Sequence, residues 1–345
     1  MLMKAPQPAK VLVVGAGAIG GLLAARLALA GHTVSVVARG SHYAAMRARG
    51  HLLLETRDGV RSAPVTAFDS VAAAPAAEAV FVTLKAYQLP ELAEALDAKA
   101  HAAKMYVPIQ NGIPWWYFQR TAGPHAGRIV RAVDPDGRLA ARLATAPVVP
   151  AFATVAAEVV APGRVFHQSF ESDGIPMGPL DPGDSRTGEA AAALVRSTGL
   201  HAPLIDVRKF VWVKLLGNIW TNPIGALTRA TVAQVATHPA SRPLALALMR
   251  ETEAVARALG IEPGLDFEQR LERGRRLRQG VKSSMLQDVE RGRETERRAI
   301  LGALVELAAV AGVEIPCVKT LNACMELLDE NLAAARALER AGISS

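Results

Sequence analysis

Lys214, Asn218 and Asn222 stand four residues apart within residues 212–227, a stretch otherwise almost wholly apolar. On an α-helix that spacing stacks the three side chains along one face. An ammonium group in an apolar setting is costly unless compensated, and its pKa falls, which equips it to give up a proton near neutral pH. The two asparagines add donors and acceptors without charge, as a site that orients a polar substrate requires. The bland alternative is a lysine that snorkels to solvent above two asparagines bonded to backbone. A reaction partner for the lysine has to come from elsewhere in the chain.

The first half of the sequence supplies elements that could hold one. Short β-rich apolar runs alternate with helical patterns, the signature of a parallel sheet with crossover helices. Strands are expected at residues 11–14, 33–38, 79–84 and 105–109, with a helix at 19–30. A hairpin is expected where 52–57 and 60–65 flank Asp58-Gly59, and closing strands at 148–160 and 164–169. Residues 121–146 form an irregular connection, and 189–197 a helix leading to a linker.

Gly15-Ala16-Gly17-Ala18-Ile19-Gly20 follows the first strand and opens the first helix. That context turns a common glycine pattern into a dinucleotide site: a tight turn, a backbone free to approach the pyrophosphate, and a helix N-terminus with free N–H groups. An acidic residue about 20 positions past the glycines would hold a ribose hydroxyl of NAD. Here Ala38-Arg39-Gly40-Ser41-His42 has no carboxylate, and Arg39 can pair with a 2′-phosphate, so NADP is favoured. Two further polar clusters, Lys85-Ala86-Tyr87-Gln88 and Gln110-Asn111-Gly112, follow the next two strands. In an open parallel sheet, ligands bind beyond the carboxyl ends of the strands, and four polar groups lie there.

From about residue 207 onward the pattern is helical, with segments at 207–220, 244–258, 298–311 and 318–337. The expected fold is α/β: a Rossmann-type NADP-binding domain at residues 1–206, then an all-α domain at 207–345. Within the latter, Ser283-Ser284-Met285-Leu286-Gln287-Asp288 precedes Thr295-Glu296. Ser284 and Gln287 fit a helix-capping box, and Glu296 fits the first turn of a helix; a functional role for either needs Lys214 or a ligand nearby.

Composition bounds the function classes. Half of the 345 residues are apolar and aromatics are few, as in a soluble globular protein. The net charge of +7 owes much to arginines between 270 and 298, but acidic residues interrupt that run, which suits a solvated helix face and argues against a nucleic-acid partner. The two cysteines, Cys317 and Cys324, would lie about 10 Å apart along a helix, too far for a disulfide, so a cytoplasmic setting is expected. No cysteine–histidine spacing suggests a metal, and no stretch suggests a membrane span. Apolar faces in the helical half suit a homodimer.

In order, GAGAIG, the post-strand Arg39, LKAYQ, QNG, the K-x3-N-x3-N helix, SSMLQD and TE resemble the ketopantoate reductase (2-dehydropantoate 2-reductase) family over nearly the whole chain. The resemblance implies NADPH-dependent reduction of ketopantoate to pantoate in pantothenate biosynthesis, with the active site in a cleft between a Rossmann and a helical domain. It implies that residues 15–20 hold the pyrophosphate and that Arg39 and Lys85 face the 2′-phosphate. Asn111 would lie near nicotinamide and substrate, with Ala157 a further cofactor contact. Lys214 would be the proton donor; Asn218, Asn222 and Ser284 would bind substrate; Glu296 would lie close to nicotinamide and substrate.

The chain departs from the family pattern at several places. Trp115, Trp116, Tyr117 and Phe118 follow the QNG turn where many members are more polar, either walling a bulkier substrate or packing an interface. Val232 replaces a further asparagine found in some members, and Arg297-Arg298 follows Glu296 where an acidic residue is frequent. The alternatives are therefore a reductase of another, bulkier 2-oxo acid and a non-catalytic NADP-binding sensor.

Overall fold

The structure, a computed structural model, describes residues 8–168, 170–278 and 280–340. Its chain divides into two compact units. One runs to Gln110 and takes in Phe118–Ile129 and Asp136–Val207; the other comprises Asn111–Tyr117, Val130–Pro135 and the chain from Arg208 onward.

The first unit is built on a five-stranded parallel sheet in the order β5-β2-β1-β6-β7. These strands are β1 (Lys10–Val14), β2 (Thr33–Val37), β5 (Thr66–Phe68), β6 (Ala79–Val82) and β7 (Met105–Pro108). Runs such as Val11-Leu12-Val13-Val14 and Ala79-Val80-Phe81-Val82 are buried throughout, as strands covered on both faces must be. A second sheet, in the order β4-β3-β9-β8, combines β3 (His51–Thr56), β4 (Gly59–Pro64), β8 (Ala157–Ala161) and β9 (Arg164–His167). Helix α1 (Ala18–Leu29) packs on β1 and β2 and also on β3, β4, β8 and β9. A helix between two sheets is apolar nearly all round, and Leu22, Leu23, Ala24, Ala25, Leu27 and Ala28 are all buried. Gly21 permits the close approach: a Cβ there would lie 2.6 Å from Val165 of β9. Helices α2 (Gly40–Arg49), α3 (Ala93–Ala102), α4 (Arg138–Arg142) and α5 (Ser185–Arg196) complete the unit.

The second unit is all-helical: α6 (Val207–Thr228), α7 (Val232–Thr237), α8 (Ser241–Ala258), α9 (Phe267–Arg275), α10 (Ser284–Glu290), α11 (Ala303–Ala311) and α12 (Pro316–Arg340). Along α6, Trp212, Leu215, Leu216, Ile219 and Trp220 are buried. Two glycines let α9 close on it. A Cβ on Gly217 would lie 2.6 Å from the Arg270 guanidinium, and one on Gly274 would lie 2.8 Å from the Trp220 ring.

Several elements differ from the sequence expectation. Helix α6 continues to Thr228 through Pro223, because burial on the helical core offsets the hydrogen bond that proline removes. The hairpin turns at Arg57-Asp58, one residue earlier than expected, with Gly59 opening β4 at φ +126°. Residues 148–156 are extended but contribute only isolated bridges, such as Ile109 with Ala151, so β8 begins at Ala157. The expected strand at 164–169 is β9 up to His167; its last residue, Ser169, lies outside the described residues. Helix α7 lies outside the expected segments, while α9 begins the arginine-rich run expected to be a solvated helix face.

Candidate active site

The parallel sheet brings its polar clusters to one edge. In the strand order β2-β1-β6-β7, the carboxyl ends lead in turn to Arg39, the glycine loop, Thr83–Lys85 and Gln110. The glycine loop is shaped for a dinucleotide by what its residues lack. Gly15 holds φ +100°, and a Cβ on Gly20 would lie 1.8 Å from the Gly15 carbonyl oxygen. Gly17 precedes α1 with no side chain capping the helix, and no atom would lie within 4 Å of a Cβ there. The space beside Gly17 is open and no side chain caps the helix start, which fits a pyrophosphate there. Thr83, at the end of β6, donates from Oγ1 to the Gly15 carbonyl at 2.6 Å and fixes the turn. No sequence pattern singles Thr83 out; only strand pairing reveals it.

Arg39 is exposed at the start of α2. His42, within the first turn of that helix, accepts the Gly163 N–H at Nδ1 (2.8 Å), which ties the start of α2 to the β8–β9 turn. Lys85 is half-buried at the head of a single tight turn, where its backbone N–H donates to Gln88 Oε1 at 3.0 Å. Gln88 therefore serves the turn itself. Ala157 opens β8 on the second sheet, where it pairs with His167 and packs against the core that includes Ala16.

In the helical unit, Lys214, Asn111 and Glu296 come together. Lys214 keeps part of its surface accessible, yet the protein packed around it lowers the ammonium pKa to about 8. The Glu296 carboxylate opposes that shift and raises it in part. Glu296 is 7% exposed and accepts a hydrogen bond from Asn111 Nδ2 at 3.1 Å. Asn111 thus belongs with the helical unit, although it follows the last strand of the parallel sheet directly. Gly112 makes this possible. It sits at φ +75°, a Cβ on it would lie 2.3 Å from the Ala299 carbonyl, and the next residue, Ile113, donates to that carbonyl at 2.8 Å.

Asn222 is buried and Asn218 half-buried on the same helix as Lys214. The cap of α10 is Ser283, whose Oγ accepts the Leu286 N–H at 3.2 Å, so Ser284 is the first helical residue and its side chain is exposed. The capping role expected of Ser284 falls to its neighbour. Ser283 Oγ would lie 3.4 Å from a Cβ on Gly225, which sets the start of α10 against α6 one turn beyond Asn222.

The aromatic run after Gly112 is used in packing. Trp115, Trp116, Tyr117 and Phe118 are all buried. Tyr117 takes a hydrogen bond from Trp212 Nε1 at 2.6 Å, with the rings edge to face, while Phe118 packs against His125 in the first unit. The basic stretch at 270–298 carries local pairs, among them Glu272 with Arg275 and Arg276 and Lys282 with Glu290. Among the described residues, no group of acidic, cysteine and histidine side chains is placed to hold a metal, and no helix is long and apolar enough to cross a membrane.

A parallel sheet with a glycine cradle, followed in sequence by a helical unit carrying a lysine, a glutamate and asparagines, defines a two-part, Rossmann-type oxidoreductase. Comparison with known proteins gives the family. Residues 11–182 match the family model described as ketopantoate reductase PanE/ApbA, and residues 206–329 match its C-terminal counterpart. A 2-dehydropantoate 2-reductase of Mesorhizobium japonicum is 37% identical over 323 residues, covering 92% of this chain and 97% of the relative. Among solved structures, a protein of Ralstonia solanacearum MolK2 assigned to the ketopantoate reductases superimposes with a TM-score of 0.86 at 32% identity, covering 93% of this chain and 98% of its own. A PanE/ApbA family ketopantoate reductase of Ralstonia eutropha JMP134 gives 0.79 at 26% identity, covering 94% and 99%. The chain belongs to the ketopantoate reductase family, a family of pyridine-nucleotide-dependent oxidoreductases.

Proposed function

We propose that this protein reduces 2-dehydropantoate to pantoate with NADPH, a step of pantothenate biosynthesis. The observation that carries the reading is Lys214, an ammonium whose pKa burial lowers to about 8, held in the field of a Glu296 carboxylate that is itself fixed by Asn111. When bound, the reduced nicotinamide supplies the hydride that adds to the 2-oxo carbon. Residues 15–20 hold the pyrophosphate, and Arg39 and Lys85 hold the 2′-phosphate, where a guanidinium and an ammonium match a dianion. Lys214 stabilises the negative charge that develops on the carbonyl oxygen and gives it a proton. Asn218, Asn222 and Ser284 orient the substrate through its carboxylate and hydroxyl groups. Glu296 keeps Lys214 protonated at neutral pH and shares Asn111 as its anchor.

The test is a substrate panel. Purified protein is mixed with NADPH or NADH and a series of 2-oxo acids, from ketopantoate to bulkier aromatic ones, and loss of reduced-nicotinamide absorbance is followed. The expected result is turnover of ketopantoate with NADPH preferred. Turnover of only bulky acids would contradict the substrate, and tight NADPH binding with no turnover of any acid would contradict the reaction.

A further inference from the structure

Glu296 is followed by a buried arginine and a wide helical turn, both unusual choices beside a carboxylate that must hold its place. Arg297 is 8% exposed. Its Nη1 donates to Asn322 Oδ1 at 3.1 Å and its Nη2 to Glu326 Oε1 at 3.0 Å, while its Nε lies 3.5 Å from Asp329 Oδ2, an ion-pair distance. All three acceptors belong to α12. On the other side of Glu296, Thr295 is tied to the same helix: its N–H donates to Asp329 Oδ1 at 3.2 Å and its hydroxyl to Asp329 Oδ2 at 3.0 Å. The Thr295 hydroxyl also accepts the Arg297 N–H at 3.2 Å, closing a small ring of bonds around the Glu296 backbone.

Past Arg297 the chain makes a single π-helical turn, Arg298–Gly302. Such turns are weaker than α-helix and concentrate at functional sites. Here the turn carries the Ala299 carbonyl that accepts the Ile113 N–H, so the segment bearing Asn111 and the segment bearing Glu296 share one frame. A buried arginine paired with carboxylates contributes little net stability compared with apolar packing. Its arrangement here makes better sense as a means of fixing position.

We infer that Asp329 is a positioning residue for Glu296, acting through Thr295 and Arg297, and that it holds the Glu296 carboxylate against Asn111 and Lys214. This rests on the catalytic reading of Lys214 and Glu296 proposed above. Among the described residues, Glu296 faces Lys214 and Asn111, Asp329 faces Arg297 and Thr295, and Arg297 also faces Asn322 and Glu326. If Asp329 is removed, Glu296 drifts, and Lys214 loses part of the field that keeps it protonated.

The experiment measures kcat, KM and the pH profile of kcat/KM for Asp329→Asn, Thr295→Val and Thr295→Ser, with Glu296→Gln as reference. Asp329→Asn and Thr295→Val are expected to lower kcat on the order of tenfold with the NADPH KM unchanged. Both should move the alkaline limb to lower pH, in the same direction as Glu296→Gln and by less. Thr295→Ser, which keeps the hydroxyl, should restore kcat and profile. Folded Asp329→Asn and Thr295→Val proteins with wild-type kcat and an unmoved limb would overturn the inference, provided Glu296→Gln moves it. If Asp329→Asn fails to fold, the Thr295→Val and Thr295→Ser pair decides alone. An unmoved Glu296→Gln profile would instead overturn the active-site reading, and this inference with it.

Discussion

The two units build their candidate sites from opposite materials. In the Rossmann unit the cradle is backbone: its glycines matter for the Cβ atoms they lack, and Thr83 serves it by bonding a carbonyl. In the helical unit the site is side chain: Lys214, Glu296 and Asn111 acquire their properties from burial and from one another. A backbone site fails through steric conflict, and it takes the fold down with it where the conflict is with the protein's own atoms. A buried polar site fails chemically while the fold survives or even gains, because the charge it buries was a cost.

The sharpest contrast comes from two glycines in one loop. Gly20→Ala places a methyl group 1.8 Å from a carbonyl oxygen, so the variant should lose NADPH binding and unfold at least about 10 °C lower in a thermal melt. Gly17→Ala meets no protein atom, so its melting temperature should stay within about 1 °C of the parent while NADPH binding weakens in a titration. Equal melting temperatures for the two would break the steric account of the cradle.

Lys214→Ala should lower kcat by about 10²–10⁴ and leave the NADPH Kd unchanged, measured by single-turnover kinetics and fluorescence titration. Arg39→Ser should raise the NADPH KM by roughly tenfold or more and leave that for NADH unaltered. A parallel loss for both cofactors would remove Arg39 from the 2′-phosphate.

The smallest effect tests the cost of the buried charge. Folding lowers the Lys214 pKa from 10.5 to about 8, so between those values the unfolded chain binds more protons and stability rises with pH. Below pH 8 the penalty is fully present. Lys214→Met should therefore melt about 2 °C or more above the parent at neutral pH, with the gain shrinking as pH climbs past 8. A lower melting temperature would mean that Lys214 stabilises the helical unit.

What could be seen in the sequence divides along the same line. The strand, glycine loop and helix lie within about 20 residues, and each obeys a local steric rule, so the Rossmann unit could be anticipated closely. The helical unit depends on contacts distant in sequence. Helix α6 runs through Pro223 because its surroundings bury it, and Ser283 rather than Ser284 caps α10 because of its place against Gly225. The departure of Asn111 into the helical unit turns on Gly112 packing against Ala299, far along the chain. The aromatic run could serve substrate or packing by type alone; its hydrogen bond to Trp212 and its contact with His125 show packing.

The most direct test of Lys214 as the acid is the pH dependence of kcat/KM for NADPH-dependent ketopantoate reduction, compared between the parent and Lys214→Ala. The proton donor must be charged, so activity should hold below pH 8 and fall as pH rises through about 8, and the residual activity of Lys214→Ala should show no such limb. The same alkaline limb in both proteins would assign the proton to another group.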